Sequence, residues 1–214
     1  MGFGREGRSA VHRGPQRTLT LDDTANAGRP ANLRVNLWRW ARRYPKWPVI
    51  VVGSLVLTVI LMFTVSWMYF AALPMALIPN LIYWGRVREH FLHGDANPGL
   101  VVSSTPLWIA VRTDMTKGAG SYPMLCVREE PPCKVWGDPA PVGTRLATVA
   151  LYGVGSEELD EQWQELDPRP VEPVAADPER AKQLLESFPS SEWEALAQAV
   201  SQVHPLRPGL FPVV

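Results

Sequence analysis

Residues 49–84 read VIVVGSLVLTVILMFTVSWMYFAALPMALIPNLIYW. They contain no Lys, Arg, Asp, Glu or His, and burial in lipid is the reading that fits such a run. Coiled as one helix at about 1.5 Å per residue, the stretch would measure roughly 54 Å against a hydrocarbon core of about 30 Å. Two short helices folded as a hairpin use the length better, with arms near Val49–Val65 and Phe70–Trp84. The rival is one tilted span followed by an interfacial, Pro-containing segment. Aromatic placement supports the hairpin. Tyr44 and Trp47 lie at one end, Tyr83 and Trp84 at the other, and Trp67 and Tyr69 fall at the midpoint, where a hairpin meets the far interface. Pro74, Pro79 and Asn80 are expected to kink or interrupt the second arm.

Working outward, Arg39, Arg42, Arg43 and Lys46 precede the stretch and Arg86 and Arg88 follow it. Positive charge at both ends predicts both termini on the cytoplasmic side, with Trp47, Trp67, Trp84, Arg42, Arg43 and Arg86 as interface anchors. The run starts too late and is too long for the core of a cleaved signal peptide. Overall charge balances at 21 basic and 21 acidic residues, but residues 1–48 carry ten basic against three acidic and residues 85–214 eleven against eighteen. The basic part suits an anionic membrane surface, and the acidic part argues against nucleic-acid binding. The lipid bilayer is thus the first partner implied. The oligomeric state is not legible.

Residues 1–31 mix Gly, Arg, Ser and Thr with few large apolar side chains and read as a disordered basic tail without a myristoylation pattern. Residues 32–48 read as an amphipathic juxtamembrane segment, with Leu33, Leu37, Trp40 and Ala41 at helical spacing among arginines. A basic flank that only sets topology reads equally well.

Residues 85–98 read as a helix extension followed by a turn, because GRVREHFLH continues the helical pattern up to the turn formers Gly94-Asp95-Ala96-Asn97-Pro98-Gly99. Residues 99–214 then read as a soluble α+β domain. Leu100–Ser103, Leu107–Thr113, Tyr122–Arg128, Lys134–Trp136 and Thr144–Tyr152 have strand character and short connections, which predicts a small antiparallel sheet or partly open barrel. The acidic, Pro-rich segment from Gly153 to Ala176 reads as a mostly solvated connection on which Trp163 and Leu166 dock. Two C-terminal helices close the domain. The first is capped by Asp177 with Pro178 at its first position, and carries Leu184, Leu185 and Phe188. The second opens with Ser191 and Glu194 in capping-box spacing and carries Trp193, Leu196, Ala197, Val200 and Val203.

Signals for chemistry are weak. The loop after Asp114 resembles a phosphate cradle, but Lys117 precedes its glycines and the Walker pattern is absent, so a hairpin loop is favoured. Cys126 and Cys133 lack zinc-knuckle or redox spacing. They flank a bend and would suit a disulfide only in an oxidising compartment. No motif places a histidine beside either thiol, and no catalytic residue, metal site or cofactor is predicted.

The blocks GDANPGLVVS (94–103), IAVRTDMTKGAGSYPMLCV (109–127), VGTRLATVALYG (142–153) and RPGLF (207–211) resemble an uncharacterised bacterial family of membrane-anchored proteins classed as a domain of unknown function. The likeness covers roughly residues 80–214 and implies a compact α+β domain following a membrane segment. It brings no activity with it. Two functions are therefore weighed. The first is a cytoplasmic-facing interaction or scaffold module that meets a protein partner through its sheet or acidic linker. The second is a small-molecule-sensing or hydrolytic domain that binds its ligand through Asp114, Lys117, Gly118 and Gly120. A deep pocket of convergent polar groups near that loop would favour the second, and an exposed sheet edge or apolar patch the first.

Overall fold

The computed structural model describes residues 28–116, 121–132, 134–135, 138–153 and 163–213. The readings made above for residues 1–27, 117–120, 154–162, Cys133 and Trp136 lie outside the described residues, while residues 28–31, read as part of a disordered tail, are bonded to Gly94 and Ala96.

The apolar stretch forms a helical hairpin. Helix α1 (Leu37–Arg43) leads into α2 (Lys46–Thr64), a 3₁₀ turn (Trp67–Ala72) reverses the chain, and α3 (Leu73–His93) returns. Both arms are long and apolar enough to cross a membrane. Ser66 caps the turn by accepting from the Met68 N–H. The second arm is not interrupted as its prolines suggest. Pro74 lies in the first helical turn, where its missing N–H costs nothing, and α3 runs on through Pro79. Asn80 is buried between the arms and donates to Val51 O at 2.5 Å and Ala76 O at 3.0 Å. A polar side chain shared between two apolar helices in this way ties them together.

Beyond α3 the chain builds a curled half-barrel of six antiparallel strands. Its members are β1 (Asp95–Ser104), β2 (Leu107–Asp114), β3 (Pro123–Glu129), β6 (Arg145–Gly153), β7 (Glu165–Pro170) and β8 (Gly209–Pro212). The order across the sheet is β7-β6-β1-β2-β3-β8. A separate two-stranded ribbon joins β4 (Lys134–Val135) to β5 (Asp138–Pro139), so the run beginning at Lys134 does not enter the main sheet.

Three strand assignments correct the sequence reading. The turn formers after Gly94 are the first half of β1, paired with β6 from Asp95↔Ala150 to Gly99↔Leu146. Pairing with β2 begins only at Gly99, so Pro98 lies where the strand has one neighbour and its missing N–H is tolerated. Gly94 alone makes the reversal, and an added Cβ there would lie 2.5 Å from Val149 Cγ1. Second, Glu165–Pro170 is not a solvated connection but an edge strand along β6. Third, the closing Gly209–Pro212 pairs with β3.

Helices α4 (Pro178–Glu186) and α5 (Ser190–Gln202) complete the domain. Asp177 caps α4 as predicted, accepting from the Glu179 and Arg180 N–H groups. The capping box at Ser191 does not form. The N-cap is Pro189, two residues before Ser191, and Phe188 packs edge-on against Trp193 as a hydrophobic staple. Ala197 faces solvent and Ala199 is buried. The main core unites this helical layer with Ala110, Leu125, Val127, Ala147 and Val149 of the sheet. Phe91 and Trp40 belong to the same core, which seats the end of α3 and the buried side of α1 on the domain.

Candidate functional site

Where α3 hands over to β1, a cavity of about 460 Å³ opens at the end of the sheet. Its polar groups arrive from four strands and segments distant in sequence: Asp95 and Asn97 from β1, Arg112, Thr113 and Asp114 from β2, Tyr152 from β6, and Arg29 from the strap before α1. The strap is held by backbone bonds from Ala31, Asn32 and Leu33 to the carbonyls of Gly94, Leu92 and Phe91, and Ala96 N–H donates to Arg29 O. The cavity wall is thus continuous with the end of the second membrane helix.

Asp95 is its centre. The Arg29 N–H donates to Oδ1 at 2.8 Å, and Tyr152 Oη and Asn97 Nδ2 donate to Oδ2 at 2.8 and 3.3 Å. Burial pushes the Asp95 carboxyl above the ordinary carboxylate range, and these donors offset only part of that. Thr113 Oγ1 lies 2.6 Å from Tyr152 Oη. Since the phenol proton points to Asp95, the threonine hydroxyl donates in turn, forming a Thr113–Tyr152–Asp95 chain. Burial, and next the Asp95 charge, hold Tyr152 well above its usual range, so the phenol keeps its proton.

Charge around this chain is mixed. Arg29 grips Glu192 of α5 through two bonds of 2.8 and 3.1 Å and stacks over Phe188, 5.3 Å from the ring centroid. Asp114 takes hydrogen bonds from Thr116, Tyr122 and Ser121. Burial pushes its carboxyl up, but those bonds outweigh it and hold it below the ordinary range. Arg112 has no ion-pair partner among the described residues. A solute entering here meets the Arg112 guanidinium, the carboxylates of Asp95 and Asp114, the Arg29–Glu192 pair and a hydroxyl chain. This arrangement can bind a small polar molecule through complementary donors and acceptors.

Of the residues proposed from sequence for ligand binding, the structure places Asp114 on this cavity, while Lys117, Gly118 and Gly120 lie outside the described residues. Sequence reasoning missed Asp95, Asn97, Arg112, Thr113 and Tyr152. The signal that could have found them is the set of blocks carrying the family resemblance, which contain all five. Cys126 is a free, buried thiol pushed up to about 11 by burial, which does not suit a thiolate nucleophile. Among the described residues no three His, Cys, Asp or Glu side chains group as metal ligands do.

The sequence-predicted interface anchors divide. Trp47 and Trp67 are exposed on the hairpin, at 57% and 79%, and Arg42 and Arg86 are also exposed. Trp84 packs partly on the domain core. Arg43 is committed to the domain instead. It donates to Pro131 O at 2.7 Å and Pro132 O at 3.1 Å and pairs with Glu130, whose side chain is 1% exposed. Glu130 also meets Arg128 at 3.2 Å and Arg169 at 3.5 Å and accepts from Tyr44. Asp167 pairs with Arg128 and, at 3.0 Å, with Arg169. This ion network fastens α1 to β3 and β7.

Fold and site together define an α+β domain that follows a hairpin of two apolar helices and carries a polar cavity where α3 meets β1. The chain belongs to the family described as "Protein of unknown function (DUF3239)", whose model matches residues 83–204, more than half of its length. It is also similar to the crystal structure of a "putative membrane protein" from Corynebacterium diphtheriae, at 20% identity over 56% of this chain and all of that one, with a TM-score of 0.46. No curated protein matches it.

Proposed function

We propose that this chain is a membrane-anchored sensing module that binds a small polar solute in the cavity around Asp95. One observation carries this: Asp95, Tyr152, Arg112 and Asp114 converge in one cavity from separate strands, on the residue that follows the C-cap of α3. The matching solute brings an anionic group to Arg112 and hydroxyl or amine donors to Asp95 and Asp114. Occupancy would bear on the junction between β1 and the hairpin, which suits a sensor. The scaffold reading has less support, because both outer strands are blunted by proline, Pro168 and Pro170 in β7 and Pro212 in β8. The hairpin would hold the domain on the cytoplasmic face of the membrane, as the basic flanks imply, and the family resemblance implies that this is a bacterial inner membrane.

The test is thermal unfolding of the full chain in detergent against amino acids, hydroxy acids, nucleotides and sugars. A ligand at 100 times its Kd stabilises by about 2.7 kcal/mol, a readily measured shift. Asp95→Asn and Arg112→Gln should abolish that shift. No response to any compound at millimolar concentration, or a shift that survives both substitutions, counts against the proposal. For topology, cysteine labelling of intact cells should leave both termini unmodified, and labelling of the C-terminus from outside would refute it.

A further inference from the structure

At the junction of domain and hairpin, α1, α2 and α3 enclose a second groove, of about 960 Å³, whose chemistry differs from that of the polar cavity. Leu81, Trp84 and Arg88 follow one another along one face of α3, and Gly53 of α2 with Trp38 and Arg42 of α1 line the facing walls. The floor is open at Gly53, where an added Cβ would meet nothing within 4 Å. Charge lies at one end only. From Leu81 to Arg88 the helix rises about 10 Å, so the groove passes from an apolar wall to two guanidinia over roughly the depth of a headgroup layer. Both arginines are exposed, and neither has an ion-pair partner among the described residues. Neighbouring Arg43, by contrast, is bound to Glu130.

We infer that this groove holds one anionic phospholipid, with its phosphodiester between Arg42 and Arg88 and an acyl chain over Gly53 and against Leu81. Charge complementarity identifies the occupant. Two unpaired cations above an apolar channel match an amphiphile with a net negative head, whereas a zwitterionic lipid brings its own cation toward them, and an apolar peptide offers them nothing. Trp38 and Trp84 flank the channel at the level where indoles favour the interface.

The test is native mass spectrometry of the full chain, released from micelles after incubation with dioleoylphosphatidylglycerol or dioleoylphosphatidylcholine. One phosphatidylglycerol per chain is expected, with phosphatidylcholine retained far less. Arg42→Gln combined with Arg88→Gln should lower retention about thirtyfold, from roughly fivefold per cation. Lys182→Gln, exposed on α4 and away from the hairpin, should leave it unchanged. Gly53→Leu fills the floor without touching an arginine and should also displace the lipid, which keeps the inference testable if the double variant does not fold. Equal retention of the two lipids, equal loss in Lys182→Gln, or undiminished binding in Gly53→Leu overturns it. A dimer that forms in place of the lipid adduct also overturns it, because the occupant is then a second copy of the chain.

Discussion

Replacing Glu172 with glutamine should flatten the pH dependence of this protein's stability. Glu172 follows β7, and its Oε1 accepts from the Ala147 N–H at 2.6 Å while Oε2 is buried without a hydrogen-bond partner among the described residues. Burial pushes the carboxyl from its ordinary 4.5 to about 7, against the opposing pull of backbone N–H groups from Ala147, Glu172 and Val171. The folded state therefore holds this proton more tightly than the unfolded chain does. Its contribution to stability is fully present below about pH 4.5 and is lost as pH rises through about 7. At about 1.4 kcal/mol per pH unit, the span between those values amounts to up to about 3 kcal/mol, a large share of the 5–15 kcal/mol that typically holds a domain together. Glutamine keeps the acceptor for Ala147 and cannot ionise. The assay is urea unfolding of the full chain in detergent, followed by tryptophan fluorescence at pH 5 and pH 8. The wild type should lose about 2–3 kcal/mol more than Glu172→Gln over that interval. Parallel profiles for the two proteins would refute the reasoning, since other titrating groups contribute equally to both.

Three further outcomes follow from the packing. Glu130→Gln leaves Arg43 with no carboxylate among the described residues and Arg128 and Arg169 to share Asp167, and should destabilise the domain by about 3 kcal/mol in the same unfolding assay. Asn80→Leu removes the bond to Val51 O between the two arms and should weaken the hairpin by roughly 0.6–1.7 kcal/mol, read by unfolding in mixed micelles. Cys126 should resist iodoacetamide at pH 8 in the folded chain and react fully in denaturant, as peptide mass spectrometry would record.

Patterns written in contiguous residues carried the architecture. An uncharged run too long for one span, with aromatics at its middle, favoured a hairpin over a single tilted span, because two short helices use its length better. Alternation and short connections identified most of the antiparallel sheet, and Asp177-Pro178 marked the start of α4. Local rules failed where tertiary partners overrode propensity. The Asn97-Pro98-Gly99 turn signal became a strand because β6 lies alongside it, and an acidic, proline-rich segment became β7 because Arg128 and Arg169 neutralise Asp167. The cavity was beyond reach of the sequence for the same reason. Asp95 and Tyr152 are 57 residues apart and carry no motif, and only the pairing of β1 with β6 brings the phenol to the carboxylate. Membrane insertion needs only the transfer free energy of one continuous segment, so the sequence alone determines it. A binding site needs side chains from separate strands to converge, and only the folded backbone decides that.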